Sequence, residues 1–454
     1  MNKYSLSALV AAGMLVGGLS TGSASAADLG GNCCADLEER IAELEATTAR
    51  KGNRKVSLTV SGWVGQQVMW WDDGVESNAY VTGLGSTLNS HFKFTGQAQI
   101  SPGWSAGYVI HVEANDSDSL TIDQISQHNP SALGANGAYA VQLLQSYWFI
   151  KSDRLGKVGV GLQSSASDNA AILVDGSGSL VPANWVMFDY NNFIIRDKAT
   201  GNFSALRWGG TAGSCFDGGG TGGDCFGAPR DSVRYDSPTF GGFSVSASWG
   251  EDDFWDVSGR YSGEFNGFKL AAAVAYSQFS QDFFAQNLND NRWVDYFQLG
   301  AYVEHVPTGL WLYGAYGHVD PNGVTLDTLD VNGAIVAGGN ARSAGDTYYI
   351  KGGLRERWTP LGHTVLYGEY EKFSRANPDA LVNLGLQASS HLWGLGVVQE
   401  IDAAAMSLWI SYRHVSADVS GVGCTNGAAA GAGLSAGCGT DDFQYVKAGA
   451  LINF

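Results

Sequence analysis

The clearest fold signal lies at residues 56–71, which read VSLTVSGWVGQQVMWW. Every second residue from Val56 to Trp70 belongs to one mostly apolar set, and the intervening set begins with serine and threonine. Successive side chains of a β-strand point to opposite faces, so this period of two predicts a strand with one apolar and one polar face. The same alternation recurs through residues 90–114 and in the terminal stretch 442–454.

The connections between these strands are alternately short and long. Turns such as Ser101-Pro102-Gly103 and Asn266-Gly267 alternate with long polar segments such as 115–142 and 164–230. Loops longer than about 15 residues are uncommon in compact domains. Long loops at one end and tight turns at the other are typical of an outer-membrane barrel. We therefore predict an all-β fold, a transmembrane antiparallel up-and-down β-barrel.

The pattern predicts 16 strands, an even number that suits an up-and-down barrel. They cover roughly residues 56–71, 90–100, 104–114, 143–151, 157–163, 231–236, 243–250, 256–264, 268–277, 293–304, 310–318, 346–356, 363–373, 391–400, 405–415 and 442–454. Residues 193–196 and 203–208 also have strand character. They are either two further wall strands, making 18, or a hairpin within a long loop.

Composition agrees with an exported membrane barrel. Only 15% of the 454 residues are charged, 12% are aromatic and 62 are glycine. No run of 18 apolar residues occurs after residue 19, which excludes a transmembrane helix in the mature chain. The net charge of −18 argues against a nucleic-acid partner, since nucleic-acid binders carry basic surfaces. The surplus of acid suggests a mild preference for cations.

The N-terminal residues indicate export and a separate segment before the barrel. Residues 1–26 have the basic start, apolar stretch and small-residue cleavage site of a secretory signal peptide. Residues 27–55 then form a periplasmic segment with one short helix, and the barrel domain spans 56–454. The seam of that helix has coiled-coil spacing and consists of Leu37, Ile41 and Leu44. A plain surface helix packed on the barrel is an equally good interpretation.

The six cysteines occur in three groups. Cys215 and Cys225 lie in one Gly-rich stretch, and Cys424 and Cys438 lie in another. Because an exported protein can be oxidised, the simplest interpretation is two local disulfides, Cys215–Cys225 and Cys424–Cys438. A four-thiolate metal site is the weaker alternative, since no C-x₂-C spacing occurs. The adjacent pair Cys33-Cys34 is left either bonded between subunits or reduced.

Catalytic chemistry is not indicated. Gly433-Leu434-Ser435-Ala436-Gly437 matches a nucleophile elbow, but it lies in a Gly/Ala loop without a strand-to-helix context. The eight histidines are dispersed, so we expect no metal site, no cofactor and no enzyme activity. The leading function is a water-filled channel for passive diffusion of small hydrophilic solutes and ions. A substrate-specific channel, an outer-membrane enzyme or a secreted β-sheet binding module are the alternatives.

The whole sequence resembles the trimeric porins of Gram-negative bacteria, most closely those of alphaproteobacteria. The resemblance is most specific in residues 34–62, and Val233–Pro238 with Gly242–Val245, and Leu155-Gly156 leading to Gly161-Leu162-Gln163, are similar to porins generally. It implies a homotrimer in the outer membrane, in contact with lipid and lipopolysaccharide. It also implies that the barrel-assembly machinery reads the terminal aromatic residue, Phe454.

The resemblance further implies that the long loop after the fifth strand folds into the pore. Asp168, Asp175 and Asp189 would supply negative charge there. Opposing basic residues should occupy inward-facing strand positions, and alternation against apolar neighbours selects seven of them. They are Lys93, Arg234, Arg260, Lys351, Arg355, Arg413 and Lys447. A transverse field between the two sets would filter solutes without binding them tightly.

Overall fold

The computed structural model describes residues 56–115, 117, 119–125, 127, 140–211, 225, 227–250, 253–280, 293–322, 328–329, 335–336, 344–376 and 384–454. Sixteen strands form the wall of a barrel. They are β1 (Thr59–Asp72), β2 (His91–Ser101), β3 (Trp104–Asn115), β4 (Ala140–Ser152), β5 (Gly156–Gln163), β6 (Arg230–Asp236), β7 (Phe243–Gly250), β8 (Trp255–Phe265), β9 (Phe268–Ser280), β10 (Trp293–His305), β11 (Leu310–Asn322), β12 (Gly345–Thr359), β13 (Gly362–Ala376), β14 (Leu386–Ile401), β15 (Met406–Gly421) and β16 (Phe443–Asn453).

Each wall strand pairs antiparallel with its neighbours in sequence, and β16 returns to pair with β1. This closing pair runs from Trp63 opposite Asn453 to Asp72 opposite Gln444. Beyond it, Gly62 and Phe454 exchange two backbone hydrogen bonds of 3.0 Å. The wall of sixteen strands therefore closes on itself, and the predicted 16-stranded antiparallel barrel is confirmed.

Side chains alternate between the two faces of the wall, as the sequence period requires. In β1, Val60, Val64 and Val68 are exposed on the outer face, whereas Trp63 and Met69 are buried on the inner face. Among the described residues, no helix has the length and apolar character needed to span a membrane.

The two ends of the barrel differ in the length of their connections. At one end, called here the tight-turn end, neighbouring strands are joined by turns such as the two-residue Asn266-Gly267. Both residues have positive φ, +50° and +80°, which favours asparagine and glycine in a two-residue hairpin. The opposite end, the long-loop end, carries the long polar connections. The predicted asymmetry between the two ends is confirmed.

Residues 194–207 form a hairpin of two strands, Ile194–Arg196 and Phe203–Arg207, that is not part of the wall. This inner hairpin packs inside the long-loop end, where Ile195 and Leu206 are buried against inward-facing wall residues such as Phe443. The apolar residues of the inner hairpin are therefore covered by side chains of the wall and not by lipid. The stretch is therefore a hairpin within a long loop, and the barrel has 16 strands rather than 18.

Two features of the wall differ from the sequence prediction. Residues Ser77–Thr82, in a segment predicted to be loop, form a further strand. This strand pairs only with the C-terminal part of β1, from Gln67 to Asp72. In addition, aromatic residues of the predicted strands, which a membrane barrel is expected to expose at its interfaces with water, divide between the two faces of the wall. Trp70, Trp148, Trp249, Tyr348 and Trp393 are exposed, whereas Trp71, Trp311, Tyr349 and Trp409 are buried. Adjacent residues of a strand point to opposite faces, so only one residue of Trp70-Trp71 and one of Tyr348-Tyr349 can face outward.

The loop of residues 422–442, called here the disulfide loop, holds the inner hairpin in place. Cys424 and Cys438 form the predicted disulfide and close 14 residues. Asp197 of the hairpin accepts hydrogen bonds from the backbone N–H and the hydroxyl of Ser435, at 2.8 and 2.7 Å. Cys225 is also disulfide-bonded. Its predicted partner Cys215 lies outside the described residues.

We expect loss of the Cys424–Cys438 disulfide to loosen the inner hairpin while the wall stays folded. Closing a loop of this length is worth ~3 kcal/mol in the chain-entropy model. In a Cys424→Ser/Cys438→Ser variant, hydrogen–deuterium exchange should therefore accelerate in residues 194–207 and 422–442. Exchange in β9 and β10 is the internal control. Unchanged exchange in the hairpin would contradict the clamping role of the disulfide.

Several sequence predictions fall outside the described residues. These are the signal peptide at 1–26, the helix with its seam Leu37, Ile41 and Leu44, and the pair Cys33-Cys34.

Candidate functional site

The first part of the long loop after β5, residues 164–193, runs inside the barrel and is called here the inner loop. Its start is fixed by Asp256 of β8, which accepts hydrogen bonds from the backbone N–H groups of Ala166 and Ser167 at 3.2 and 2.6 Å. Farther along, Gln298 of β10 accepts a hydrogen bond from the N–H of Ala171 at 2.9 Å. Backbone groups of the loop are thus satisfied by side chains of the wall.

A glycine of the wall allows the inner loop to come this close. A Cβ atom added at Gly300 would lie 2.4 Å from the carbonyl oxygen of Ala171. The same carbonyl accepts a 2.8 Å hydrogen bond from the hydroxyl of Tyr313. Any larger residue at position 300 would push the loop towards the centre of the lumen.

Asp175, predicted on the loop, and Lys351, predicted on the wall, form a direct ion pair. The Nζ of Lys351 donates to Asp175 Oδ2 at 2.6 Å and to the carbonyl oxygen of Ala183 at 2.6 Å. Both charged side chains are 0% exposed. The rings of Trp311, Tyr313 and Tyr367 lie 5.8 Å from the ammonium group. This cation is therefore fully enclosed between loop and wall.

A second predicted acid and a second predicted cation also meet. The Nζ of Lys447 in β16 donates to Asp189 Oδ2 at 2.5 Å, and the amide of Gln67 donates to Asp189 Oδ1 at 2.7 Å. Both charged side chains are buried. The two buried pairs hold the loop against the wall at separate points, and neither faces its partner across an open gap.

Arg413 and Arg355 are predicted wall cations that pair with carboxylates of other wall strands. Arg413 binds Glu369 at 2.8 and 2.7 Å and also donates to the carbonyl oxygen of Asn184 in the inner loop at 2.8 Å. Arg355 binds both oxygens of Glu400 at 3.0 and 2.9 Å. Arg413 therefore helps to position the loop, whereas the carboxylate that neutralises Arg355 comes from β14.

The remaining predicted residues, Lys93, Arg234, Arg260 and Asp168, line an open cavity of about 550 Å³ in the lumen. Lys157 joins them, so that the cationic side chains of β2, β5, β6 and β8 form an arc on one side. This set, called here the basic wall, consists of Lys93, Lys157, Arg234 and Arg260. Among the described residues, Asp168 supplies the one side-chain carboxylate that lines this cavity.

Asp168 is held close to the basic wall by the inner loop. The guanidinium of Arg234 donates to the carbonyl oxygens of Ser164 and Ser165 at 2.9 Å each, and Arg260 donates to that of Ala166 at 3.4 Å. Burial raises the pKa of Asp168 to about 7, and nearby Asp256 raises it too. A hydrogen bond with Ser164 and the charges of Arg234 and Arg260 oppose this increase.

Sequence reasoning did not select Lys157 or the two histidines of this cavity, His91 and His111. Their imidazole rings are 4.3 Å apart, on β2 and β3. The signal for Lys157 is present, because it alternates with the outward-facing Val158 of β5. The histidines likewise follow the inward-facing set of their strands. Alternation thus identifies the face of each residue, although it gives no information about which inward residues border open water.

Comparison with protein families and solved structures relates the chain to porins. The model of the Gram-negative porin family matches residues 6–436. The anion-selective porin from Comamonas acidovorans is 14% identical over 88% of this chain and 100% of that chain, with a TM-score of 0.51, which shows a shared fold. Comparison with curated protein sequences finds no significant match.

Two further solved structures align over similar lengths with lower scores. Salmonella typhi OmpF in complex with daunomycin is 12% identical over 89% of this chain and 99% of that chain, with a TM-score of 0.48. The trimer form of in-vitro folded OmpT from Vibrio cholerae is 12% identical over 88% and 99%, with a TM-score of 0.47.

The family model covers most of the chain, and the structure is a closed antiparallel barrel with an apolar outer face and a lumen narrowed by its own loop. The chain therefore belongs to the Gram-negative porin family and is an outer-membrane channel for diffusion rather than an enzyme.

Proposed function

We propose that the inner loop forms the constriction of this channel and that the channel passes small hydrophilic solutes with a preference for anions. The observation that carries the proposal is the charge of the side chains that line the lumen cavity: among the described residues they include the four cations of the basic wall and one carboxylate, that of Asp168. A wet passage lined by one sign of charge concentrates ions of the opposite sign.

Carboxylates behind the basic wall reduce its charge without cancelling it. Asp236 lies 2.9 Å from Lys157 and 2.8 Å from Arg234, and so neutralises one positive charge. Asp256 contacts Ser248 and the two loop N–H groups described above. With Asp168 protonated, four cations oppose two carboxylates, which leaves a positive balance. The acidic surplus of the whole chain is thus a poor guide to the lumen.

The test is the reversal potential of purified protein in planar bilayers under a potassium chloride gradient. We expect stepwise conductance and a potential of the sign that indicates chloride preference. Stepwise conductance with cation preference would overturn the assignment of selectivity.

We expect the anion preference to fall as pH rises through about 7. Above its pKa, Asp168 gains a negative charge beside the basic wall, and below that pKa it is neutral. The charged groups that face it are Arg234, Arg260 and Asp256. In an Asp168→Asn channel this component should disappear, so that any remaining change with pH near 7 comes from other titratable groups. Identical pH profiles of the two proteins would contradict a role for Asp168.

The assembly and the N-terminal segment complete the proposal. The resemblance to alphaproteobacterial porins supports a homotrimer in contact with lipopolysaccharide, with residues 1–26 as signal peptide, 27–55 as periplasmic coiled-coil segment and 56–454 as barrel. It also supports recognition of Phe454 by the barrel-assembly machinery. Deleting residues 27–52 from the mature protein tests the coiled coil. A trimer that becomes monomeric on deletion would support it, and an unchanged trimer would reject it.

A further inference from the structure

The lumen cavity has two chemically different sides. The basic wall forms one side, on strands β2 to β8. The inner loop forms the other with apolar side chains that are only partly buried. This apolar face consists of Leu173, Leu180, Val181 and Phe188.

The apolar face is positioned rigidly, because the loop that carries it is fixed at both ends of the face. Before it, the N–H of Ala171 is bound by Gln298, and after it, Asp189 is bound by Lys447. Between them, Asp175 is bound by Lys351. Partly exposed apolar side chains on such a fixed support favour a solute that removes them from water.

The basic wall also carries an aromatic surface at its edge. The ring of Tyr147 lines the cavity, and the ammonium group of Lys157 lies 6.0 Å from its centre. Trp63 lines the cavity beside His91, with ring centres 3.9 Å apart. A flat apolar body therefore meets rings on the wall as well as aliphatic groups on the loop.

The volume of the cavity suits a small organic molecule. Ligand sites commonly enclose about 300–1,000 Å³ and combine a mostly apolar lining with a few well-placed polar groups. At about 550 Å³, this cavity holds a ring with one charged substituent and still leaves space for water.

We propose that this cavity is a binding site for organic anions with an apolar body, of which aromatic monocarboxylates are the simplest. The carboxylate lies towards the basic wall, and the ring lies against the apolar face and Tyr147. The proposal rests on the anion preference proposed above. It adds that the channel discriminates among anions according to their apolar surface, whereas a purely electrostatic filter treats anions of equal charge and similar mobility alike.

The test uses three probes that separate charge from apolar surface: benzoate, acetate and benzamide. Each is added at increasing concentration while the chloride current of single channels is recorded. We expect benzoate to reduce the chloride current with an apparent affinity at least about fivefold higher than that of acetate or benzamide. Equal apparent affinities of benzoate and acetate, in a channel that still prefers chloride to potassium, would overturn this inference alone. Preference for potassium over chloride would instead overturn the proposed function.

Substitutions on the two sides should have different effects. Phe188→Ala should weaken block by benzoate about threefold and leave block by acetate unchanged, because acetate has little apolar surface. Lys93→Gln should weaken block by both anions. Phe92→Ala, on the exposed outer face of β2, is the matched control and should change neither. If Phe188→Ala does not assemble, Leu173→Ser tests the same face. Unchanged block by benzoate in the assembled variant of the apolar face would overturn the proposal.

Discussion

Replacing Asp175 with asparagine is expected to release the inner loop and to raise the single-channel conductance. The substitution leaves the ammonium group of Lys351 buried without its counter-charge, which typically costs about 3–5 kcal/mol. The structure can relieve this cost by moving the loop away so that water reaches Lys351. The lumen then widens, because the loop no longer occupies its place against β12. Planar-bilayer recording and thermal unfolding in detergent measure the two effects.

The control for this prediction is an ion pair of the same length on the surface. Arg357 and Asp402 are 2.6 Å apart and substantially exposed. Such pairs contribute only about 0–1 kcal/mol, so Asp402→Asn should change neither conductance nor stability noticeably. The double variant Asp175→Leu/Lys351→Met should behave more like the natural protein than Asp175→Asn does, because it leaves no unpaired buried charge. Natural conductance in Asp175→Asn would show that the pair does not hold the loop.

The double variant Lys93→Glu/Lys157→Gln is expected to lower the anion-to-cation permeability ratio about tenfold. It removes two positive charges from the lumen cavity and adds one negative charge, so that the net charge falls by three units. A unit charge about 8 Å from an ion in a water-like medium is worth ~0.5 kcal/mol, and salt reduces this value. Because the change acts in opposite directions on anions and cations, the effects on the ratio reinforce each other. The reversal potential in a salt gradient measures the ratio.

Two control proteins separate lumen charge from other causes. Lys93→Arg/Lys157→Arg keeps the charge and should keep the ratio close to its natural value. Lys198→Glu reverses a charge on an exposed side chain of the inner hairpin and should have a much smaller effect. A ratio that changes as much in Lys198→Glu as in the double variant would place the selectivity filter outside the basic wall.

The strands were predictable because a barrel wall contacts lipid on one face and the lumen on the other. Apolar and polar residues therefore alternate along each strand. All sixteen strands were predicted, mostly to within a few residues. The N-terminal end of β14 is an exception, because the strand begins at Leu386, whereas the predicted strand begins at residue 391. Its first residues pair with the end of β15 as far as Gly421.

The inner hairpin shows the limit of the same signal. Residues 193–196 and 203–208 have the strand character of wall residues, yet Ile195 and Leu206 pack against Trp208 and Phe443 inside the barrel. Alternation reports that one face is buried, but it gives no information about what covers that face. The choice between 16 and 18 strands therefore depended on tertiary contacts that sequence pattern does not contain.

The sequence predicts which charged residues belong to the candidate site. It does not predict which acid pairs with which cation. Three acids of the inner loop and seven cations of the wall were selected from resemblance and alternation. Which of them are buried together depends on the path of the loop, because Asp175 and Lys351 are 176 positions apart in sequence. The role of each cation depends on this pairing. A cation that is enclosed with its carboxylate partner anchors the loop, whereas a cation that borders water acts on solutes.

The reciprocal hydrogen bonds between Gly62 and Phe454 have a consequence for the order in which the barrel forms. Every other pair of neighbouring wall strands is consecutive in sequence, whereas β1 pairs with β16, the wall strand farthest from it in sequence. Contacts between such distant parts of a chain are the slowest to form. Until they form, the nascent sheet has two free edges, which favour pairing with other chains. The pairing of β1 with β16 therefore determines how long these edges stay open to other chains.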